Sequence, residues 1–249
     1  MDKRLVFDTI PERFDRWRAR YSSELFEHIV KVCSLSADKK CLEIGPGTGQ
    51  ATDFALETGC DYTAIELGEN LAEKMREKYS GYPNFTLING DFEKYPFAPL
   101  SFDLVYSAAT IQWIDQDIAY SKTFDILKNG GYLAMFYMYE DYRKRSPQLY
   151  DAIQKIYDDC FATDSPYTQK FDYADGSGYG YEYLGETEFY GERRYTADEY
   201  IEYIKTHSTH IMINENAKDR FFAGVHDAVE SFGGIVFDDI YRLHLYRKP

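Results

Sequence analysis

A doubly wound α/β fold with a mostly parallel sheet is predicted for this chain of 249 residues. Two observations predict it: short apolar runs recur with helical stretches between them, and the first run, "LEIGPGTGQ" (42–50), opens into a loop with three glycines. The length suits one mid-sized domain with an elaboration. The predicted division is a single domain, 1–249, with a core over 21–138 and about 213–249, and a cap or insertion over about 139–212 that joins an N-terminal segment, 1–20.

Taken in order, Leu25, Phe26, Ile29, Val30 and Cys33 repeat at helical spacing, and "KCLEI" (40–44) is the first strand, with a helix starting near Gln50. "DYTAIE" (61–66) is the second strand. Leu71, Ala72, Met75 and Tyr79 then stripe a helix whose polar face carries Glu73, Lys74, Arg76, Glu77 and Lys78. "FTLING" (85–90), "FDLVYS" (102–107) and "YLAMFYM" (132–138) follow as strands. Between the last two, "AYSKTFDILKNGG" reads as a helix closed by Asn129, Gly130 and Gly131. Nearly continuous apolar strands of this kind belong in a sheet covered on both faces.

The regularity breaks near Tyr139. A helix is predicted over about 147–162, and "FDYADGSGYGYEYLGETEFYGERRY" (171–195) has no helical period. Its glycines at 176, 178, 180, 185 and 191 suit a loop or hairpin, either an irregular insertion or, over 172–192, a lid. Thr196 with Glu199 makes a capping box, and two helices follow. The second puts Phe221, Phe222, Val225, Val229 and Phe232 on one face and ends at Gly233 and Gly234. The closing "YRLHLYRK" alternates Tyr241, Leu243 and Leu245 against Arg242, His244 and Arg247, an amphipathic strand at or near the sheet edge.

Bulk properties narrow the partners. A net charge of −14 repels phosphate backbones and anionic lipid, so neither nucleic acid nor membrane is expected. The first twenty residues reverse that sign locally, with six Lys/Arg against four acids. Cys33, Cys41, Cys60 and Cys160 are scattered without metal-site or disulfide spacing, so no metal is expected. Free thiols, with no apolar leader and no run near the roughly 18 to 20 apolar residues of a membrane span, suit a cytoplasmic protein.

Gly45, Gly47 and Gly49 are more glycines than a tight turn needs, so a ligand is expected to pack against the main chain there. Their spacing is not the dinucleotide G-x-G-x-x-G, whose last position here is Gln50, and no Gly-Lys-Ser/Thr follows. Glu43 would repel a pyrophosphate and attract an ammonium group. Glu66, at the end of the second strand, is placed to accept two ribose hydroxyls. Asp91 is placed to accept from an adenine amine, with Phe92 beside it.

The run "CLEIGPGTGQATDFALETGCDYTAIELGENLAEKMREKY", then "LINGDFEKYPF", "FDLVYSAATIQWID" and "ILKNGGYLAMF", resembles class I S-adenosylmethionine-dependent methyltransferases across 40–137. "FDRWRARY", "QWID" and the ending "GGIVFDDIYRLHLYRK" look like the small-molecule branch that includes trans-aconitate methyltransferase-like proteins. The resemblance implies a Rossmann-like sheet of about seven strands with an antiparallel C-terminal strand, plus a helical and loop cap. It implies that Glu43, Gly45, Gly47 and Gly49 face the methionine part of the cofactor, Glu66 the ribose, and Asp91 with Phe92 the adenine, with Leu67 also binding the cofactor. Ser107 would present its carbonyl to the ammonium, and Gln112 and Trp113 would border the acceptor. Where relatives often carry His, this chain has Gln112, an amide that cannot take a proton.

The expected activity is therefore methyl transfer to a small molecule, in which alignment and exclusion of water do most of the work. Its acceptor pocket is expected to use Trp17, Arg18 and Tyr21 together with residues after 138. No catalytic base is assigned, although His207 and His210 follow the variable region. The fourth strand lacks the [Asp/Asn/Ser]-Pro-Pro-Tyr sequence that in the resembled superfamily goes with methylation of exocyclic amines on bases or of glutamine amides, which with the acidic charge speaks further against nucleic-acid methylation. The rival readings are a protein methyltransferase and a non-catalytic binder of S-adenosylmethionine or S-adenosylhomocysteine. The oligomeric state is left open.

Overall fold

A computed structural model describes residues 2–163 and 170–249; residues 164–169, part of the predicted cap, lie outside the described residues. Two 3-10 turns at Lys3–Leu5 and Phe7–Thr9 lead into α1 (Pro11–Trp17) and α2 (Ser23–Cys33). There follow β1 (Lys40–Ile44), α3 (Asp53–Leu56), β2 (Asp61–Glu66), α4 (Glu69–Tyr79), β3 (Phe85–Asn89) and β4 (Phe102–Ala108). After these come α5 (Gln116–Ile126), β5 (Leu127–Asp141), α6 (Pro147–Cys160), β6 (Glu182–Tyr195), α7 (Ala197–Ile204), α8 (Ser208–Ile211), α9 (Glu215–Ser231) and β7 (Ile235–Arg247).

Seven strands form one sheet in the order β3-β2-β1-β4-β5-β7-β6. Strands β1 to β5 are parallel, and β7 runs antiparallel to both β5 and β6. Alternation along the strands sorts the core into two layers. Cys41, Tyr62, Ala64, Leu104 and Tyr106 pack with Leu25, Ile29 and Ala55 of α2 and α3. Leu42, Ile44, Ile65 and Val105 pack with Ala119, Tyr120 and Ile126 of α5. A third cluster joins α6, α7 and α9 through Leu149, Ile153, Tyr200, Phe221 and Val225. No described helix is long and apolar enough to cross a membrane.

Four local expectations change. Helix α5 stops at Ile126, before Asn129, because Gly130 donates to the carbonyl of Lys248 (2.8 Å) and Lys248 donates back to Gly131 (2.8 Å), which ties this stretch to the strand ladder. The glycine- and tyrosine-rich segment is no loop over 182–195. It is the outermost strand, paired with β7 along its length, and its residues alternate between more and less exposed, the period of a strand. Residues 182–192 of the suggested lid are thus held in the sheet. Three helices follow Thr196 instead of two, because α8 adds a single turn. Phe232 falls on the cap of α9 and is exposed, off the buried face. The Thr196–Glu199 capping box forms as read. The helix expected near Gln50 is the one-turn α3, with turns over the preceding residues.

Candidate functional site

The chain reverses at the carboxyl end of β1 through three glycines at positive φ: Gly45 at +66°, Gly47 at +62° and Gly49 at +90°. Space is as restricted as backbone angle. A Cβ on Gly45 would stand 2.2 Å from Cγ2 of Thr110, one on Gly47 2.9 Å from the Phe14 ring, and one on Gly49 2.4 Å from the Tyr79 hydroxyl. Three different elements therefore close onto this turn, from the loop after β4, from α1 and from α4.

A cavity of about 950 Å³, counted with its open mouth, lies against Gly45 and Gly47. Its walls are the carboxyl ends of β1 and β2, the turn after β3, the stretch after β4, and the N-terminal segment. Gly49 is not among the lining residues. Its carbonyl instead accepts from Tyr79 (3.2 Å).

Glu66 lines this cavity and is 6 % exposed. Its Oε1 accepts from the Gly68 amide (2.8 Å) and its Oε2 from the Gly47 amide (3.0 Å), so it joins the glycine turn to the start of α4. Burial pushes this carboxyl up to about 7, against the pull of those two amides. Leu67, Asp91 and Phe92 line the same wall. Burial pushes the Asp91 carboxyl up, but Arg4 (3.1 Å), the Glu93 amide (3.0 Å) and Lys94 (3.2 Å) outweigh it and hold it below its usual range.

Glu43 and Ser107 sit elsewhere. Strand alternation turns Glu43 into the layer of Tyr62 and Tyr106, away from Leu42 and Ile44, and it is not a lining residue. Its Oε2 accepts from Thr52 (2.7 Å), Tyr106 (2.8 Å) and Tyr62, while its Oε1 has no partner among the described residues. Burial raises its pKa against those three hydroxyls. Glu43 thus stands outside the cavity lining, bonded to the hydroxyls beneath the glycine turn. Ser107 is fully buried and donates to the Ile44 carbonyl (3.1 Å); Ala108 and Ala109 are the cavity residues of that strand end.

The N-terminal segment forms the front wall. Arg4 reaches Asp91 and Glu93, and Asp8 accepts from the Leu71 amide (2.9 Å), capping α4 where Gly68 has no side chain to do so. Phe7 packs edge-on against Trp113 (5.8 Å), and both line the cavity with Phe14. Arg18 lines it too. Its guanidinium lies over Phe14 (5.6 Å) and Phe7 (6.0 Å) and donates to the Thr206 carbonyl (3.4 Å), with no carboxylate partner among the described residues. Tyr21 closes that end, edge-on to Phe136 (5.0 Å).

Trp17 lies outside the cavity lining, under Arg16 (5.2 Å). Gln112 does too. Its amide donates to the Ala109 carbonyl (2.9 Å) and accepts from Tyr173 (2.9 Å). No residue after Ile114 is among the lining residues, so the predicted contribution of 139–212 to this cavity is absent from the described residues. His207, half-buried, packs on Tyr203, and His210, buried, on Tyr157 and Phe161; loss of hydration lowers both pKa values, that of His210 to about 4. The sequence reading missed Arg4, Phe7, Phe14 and Thr110. The local excess of basic residues was the available signal.

Residues 42–135 match the family described as "Methyltransferase domain". A ribosomal RNA small subunit methyltransferase A of Hahella chejuensis is 35 % identical over 77 residues, covering 31 % of this chain and 28 % of that protein. A malonyl-[acyl-carrier protein] O-methyltransferase of Chlorobium luteolum is 34 % identical over 128 residues, covering 46 % of this chain and 47 % of that protein. The chain thus spans less than half the length of these two relatives. Among solved structures, Haemonchus contortus phosphoethanolamine N-methyltransferase 2, in complex with phosphomonomethylethanolamine and S-adenosylhomocysteine, has a TM-score of 0.58 at 18 % identity. That match covers all of this chain (100 %) and 59 % of that one, and it shows a shared fold.

Proposed function

We propose that this chain, whose residues 42–135 match a methyltransferase domain, is a class I, S-adenosylmethionine-dependent enzyme that methylates a small anionic acceptor, with a carboxylate as the reacting group. S-adenosylmethionine supplies a methyl group already activated on a sulfonium. The residues suit it: Gly45 and Gly47 bring main chain to the cavity wall, Glu66 would offer its carboxylate to the ribose, and Asp91 and Phe92 would take the adenine. Ala108, Ala109 and Thr110, also lining residues, would flank the methionine part.

The work left to this chain is to orient the two partners and exclude water, which aligned sites turn into about 7–11 kcal/mol of barrier lowering at best. Phe7, Phe14 and Trp113 supply the apolar cover. Among the described residues no His or Lys lines the cavity, and the two lining acids, Glu66 and Asp91, are those assigned to the nucleoside. That chemistry suits an acceptor that needs no proton removed, as a carboxylate does not.

One observation carries the acceptor class: Arg18 reaches the cavity without a carboxylate partner among the described residues. A guanidinium so placed recognises a carboxylate by paired hydrogen bonds. RNA is the competing acceptor, suggested by the ribosomal RNA methyltransferase relative, and the net charge of −14 works against it. A protein acceptor suits the acidic charge, and a binder without activity is the third rival.

The deciding experiment incubates the protein and methyl-labelled cofactor with a panel of small carboxylic acids, amines, RNA and protein extract. Label in a base-labile ester, together with an Arg18→Leu variant that raises acceptor KM and leaves S-adenosylhomocysteine affinity unchanged, is the expected result. Label in RNA or protein instead, or tight cofactor binding with no labelled product, would sink the proposal.

A further inference from the structure

Ala109 is a cavity residue with φ of +52°, in the left-handed region where a side chain with a Cβ is strained. It is fastened on both sides of its peptide. Its amide donates to the Phe136 carbonyl (2.8 Å), and its carbonyl accepts from Nε2 of Gln112 (2.9 Å). Oε1 of Gln112 accepts from the Tyr173 hydroxyl (2.9 Å). Tyr173 is fastened in turn, since its carbonyl accepts from Tyr246 of β7 (2.6 Å) and the neighbouring Asp172 carbonyl accepts from Tyr120 of α5 (2.7 Å). On the other flank, Thr110 donates to the Gly45 carbonyl (2.9 Å) and fills the space that a Cβ on Gly45 would need.

From this geometry we infer that Gln112 and Tyr173 are positioning residues for cofactor binding. They hold Ala109 in its strained conformation and thereby set the wall formed by residues 108–110 against the glycine turn. Neither is among the residues lining the cavity. Their effect is on where the Ala108–Thr110 main chain stands, through a hydrogen-bonded path that runs from the tyrosine-rich segment, through one amide, to the site. The inference rests on the reading of this cavity as the S-adenosylmethionine site.

Calorimetry with S-adenosylhomocysteine tests it, with the melting temperature recorded for each variant. Gln112→Leu removes the donor to Ala109 and is expected to weaken binding about tenfold, the scale of one left-handed residue released from strain. Tyr173→Phe, which removes only a hydroxyl, is expected to weaken it about threefold. The decisive variant is Gln112→Leu combined with Ala109→Gly. Glycine adopts this φ without strain, so affinity should return to within about twofold of the unaltered protein even if the melting temperature does not. That split is one a purely structural role would not give. Unchanged affinity in Tyr173→Phe and Gln112→Leu overturns the inference, as does a folded double variant that stays weak. If Gln112→Leu fails to fold, Tyr173→Phe and the double variant decide by the same criteria. An unaltered protein that does not bind S-adenosylhomocysteine overturns the cofactor site itself, and the inference with it.

Discussion

Strands β1 to β4 are five to seven residues long and alternate with short helices, whereas β5, β7 and β6 run for 13 to 15 residues and pair antiparallel. The short strands end together at one edge, and the turns that leave them make the cavity with the N-terminal segment. The long strands contribute no described lining residue. They carry instead an interior ion cluster, in which Arg193 bonds Asp239 (2.5 Å) and Glu140 (2.6 Å) beneath Tyr203, and a layer of tyrosines against α5. Ligand chemistry and its stiffening are thus carried by separate halves of one sheet. The Tyr173–Gln112 contact is one of the places where the second half reaches the first.

Two glycines at positive φ put this division to its hardest test. Gly45→Ala has both the wrong backbone angle and a Cβ at 2.2 Å from Thr110, and should cost about 2–4 kcal/mol, a hundredfold or so in S-adenosylhomocysteine affinity by calorimetry. Gly185→Ala in β6, at φ +117° with open space around it, should lower stability by about 1 kcal/mol and leave affinity alone. Equal losses of binding would erase the distinction between the halves.

Next in size is the titration of Glu66. Its folded-state pKa of about 7 stands above the ordinary 4.5, so the folded chain holds a proton that the unfolded chain releases. Stability from this group is therefore fully present below pH 4.5 and is lost as pH rises to 7, by about 3 kcal/mol at most. Thermal melts at pH 5 and pH 8 should show that loss, and Glu66→Gln should flatten it. Affinity for the nucleoside should rise over the same range, because the ionised carboxyl is the better acceptor of ribose hydroxyls.

Smaller effects sharpen the boundary. Arg4→Met removes half-screened pairs with Asp91 and Glu93 and should cost about 1 kcal/mol or less, seen as a few-fold faster release of S-adenosylhomocysteine in stopped flow. Tyr190→Ser, at a position of β6 that is 68 % exposed, should change stability by less than about 0.5 kcal/mol in denaturant melts and leave affinity unchanged.

The first half was legible because apolar runs between helices carry the sheet signal directly, and because glycines and Glu66 fall where such runs stop. The layer that Glu43 enters was legible from strand parity: Leu42 and Ile44 face one layer, so the residue between them faces the other. Strand β6 was illegible for a different reason. Its Glu, Tyr, Gly and Arg residues lie at a sheet edge with both faces partly wet, and apolar alternation is absent there. The front wall was illegible because 3-10 turns and a seven-residue helix leave too little periodicity to read, and what fastens them is tertiary: Arg4 on Asp91, Asp8 on α4.

That last contact has a spectroscopic use. The Leu71 amide donates to Asp8, so it is covered only while the front wall is docked, and its neighbours inside α4 are covered by the helix itself. Hydrogen exchange at this single amide, compared with that of Met75 deeper in the helix, therefore reports opening of the contact between the front wall and α4 separately from opening of the helix.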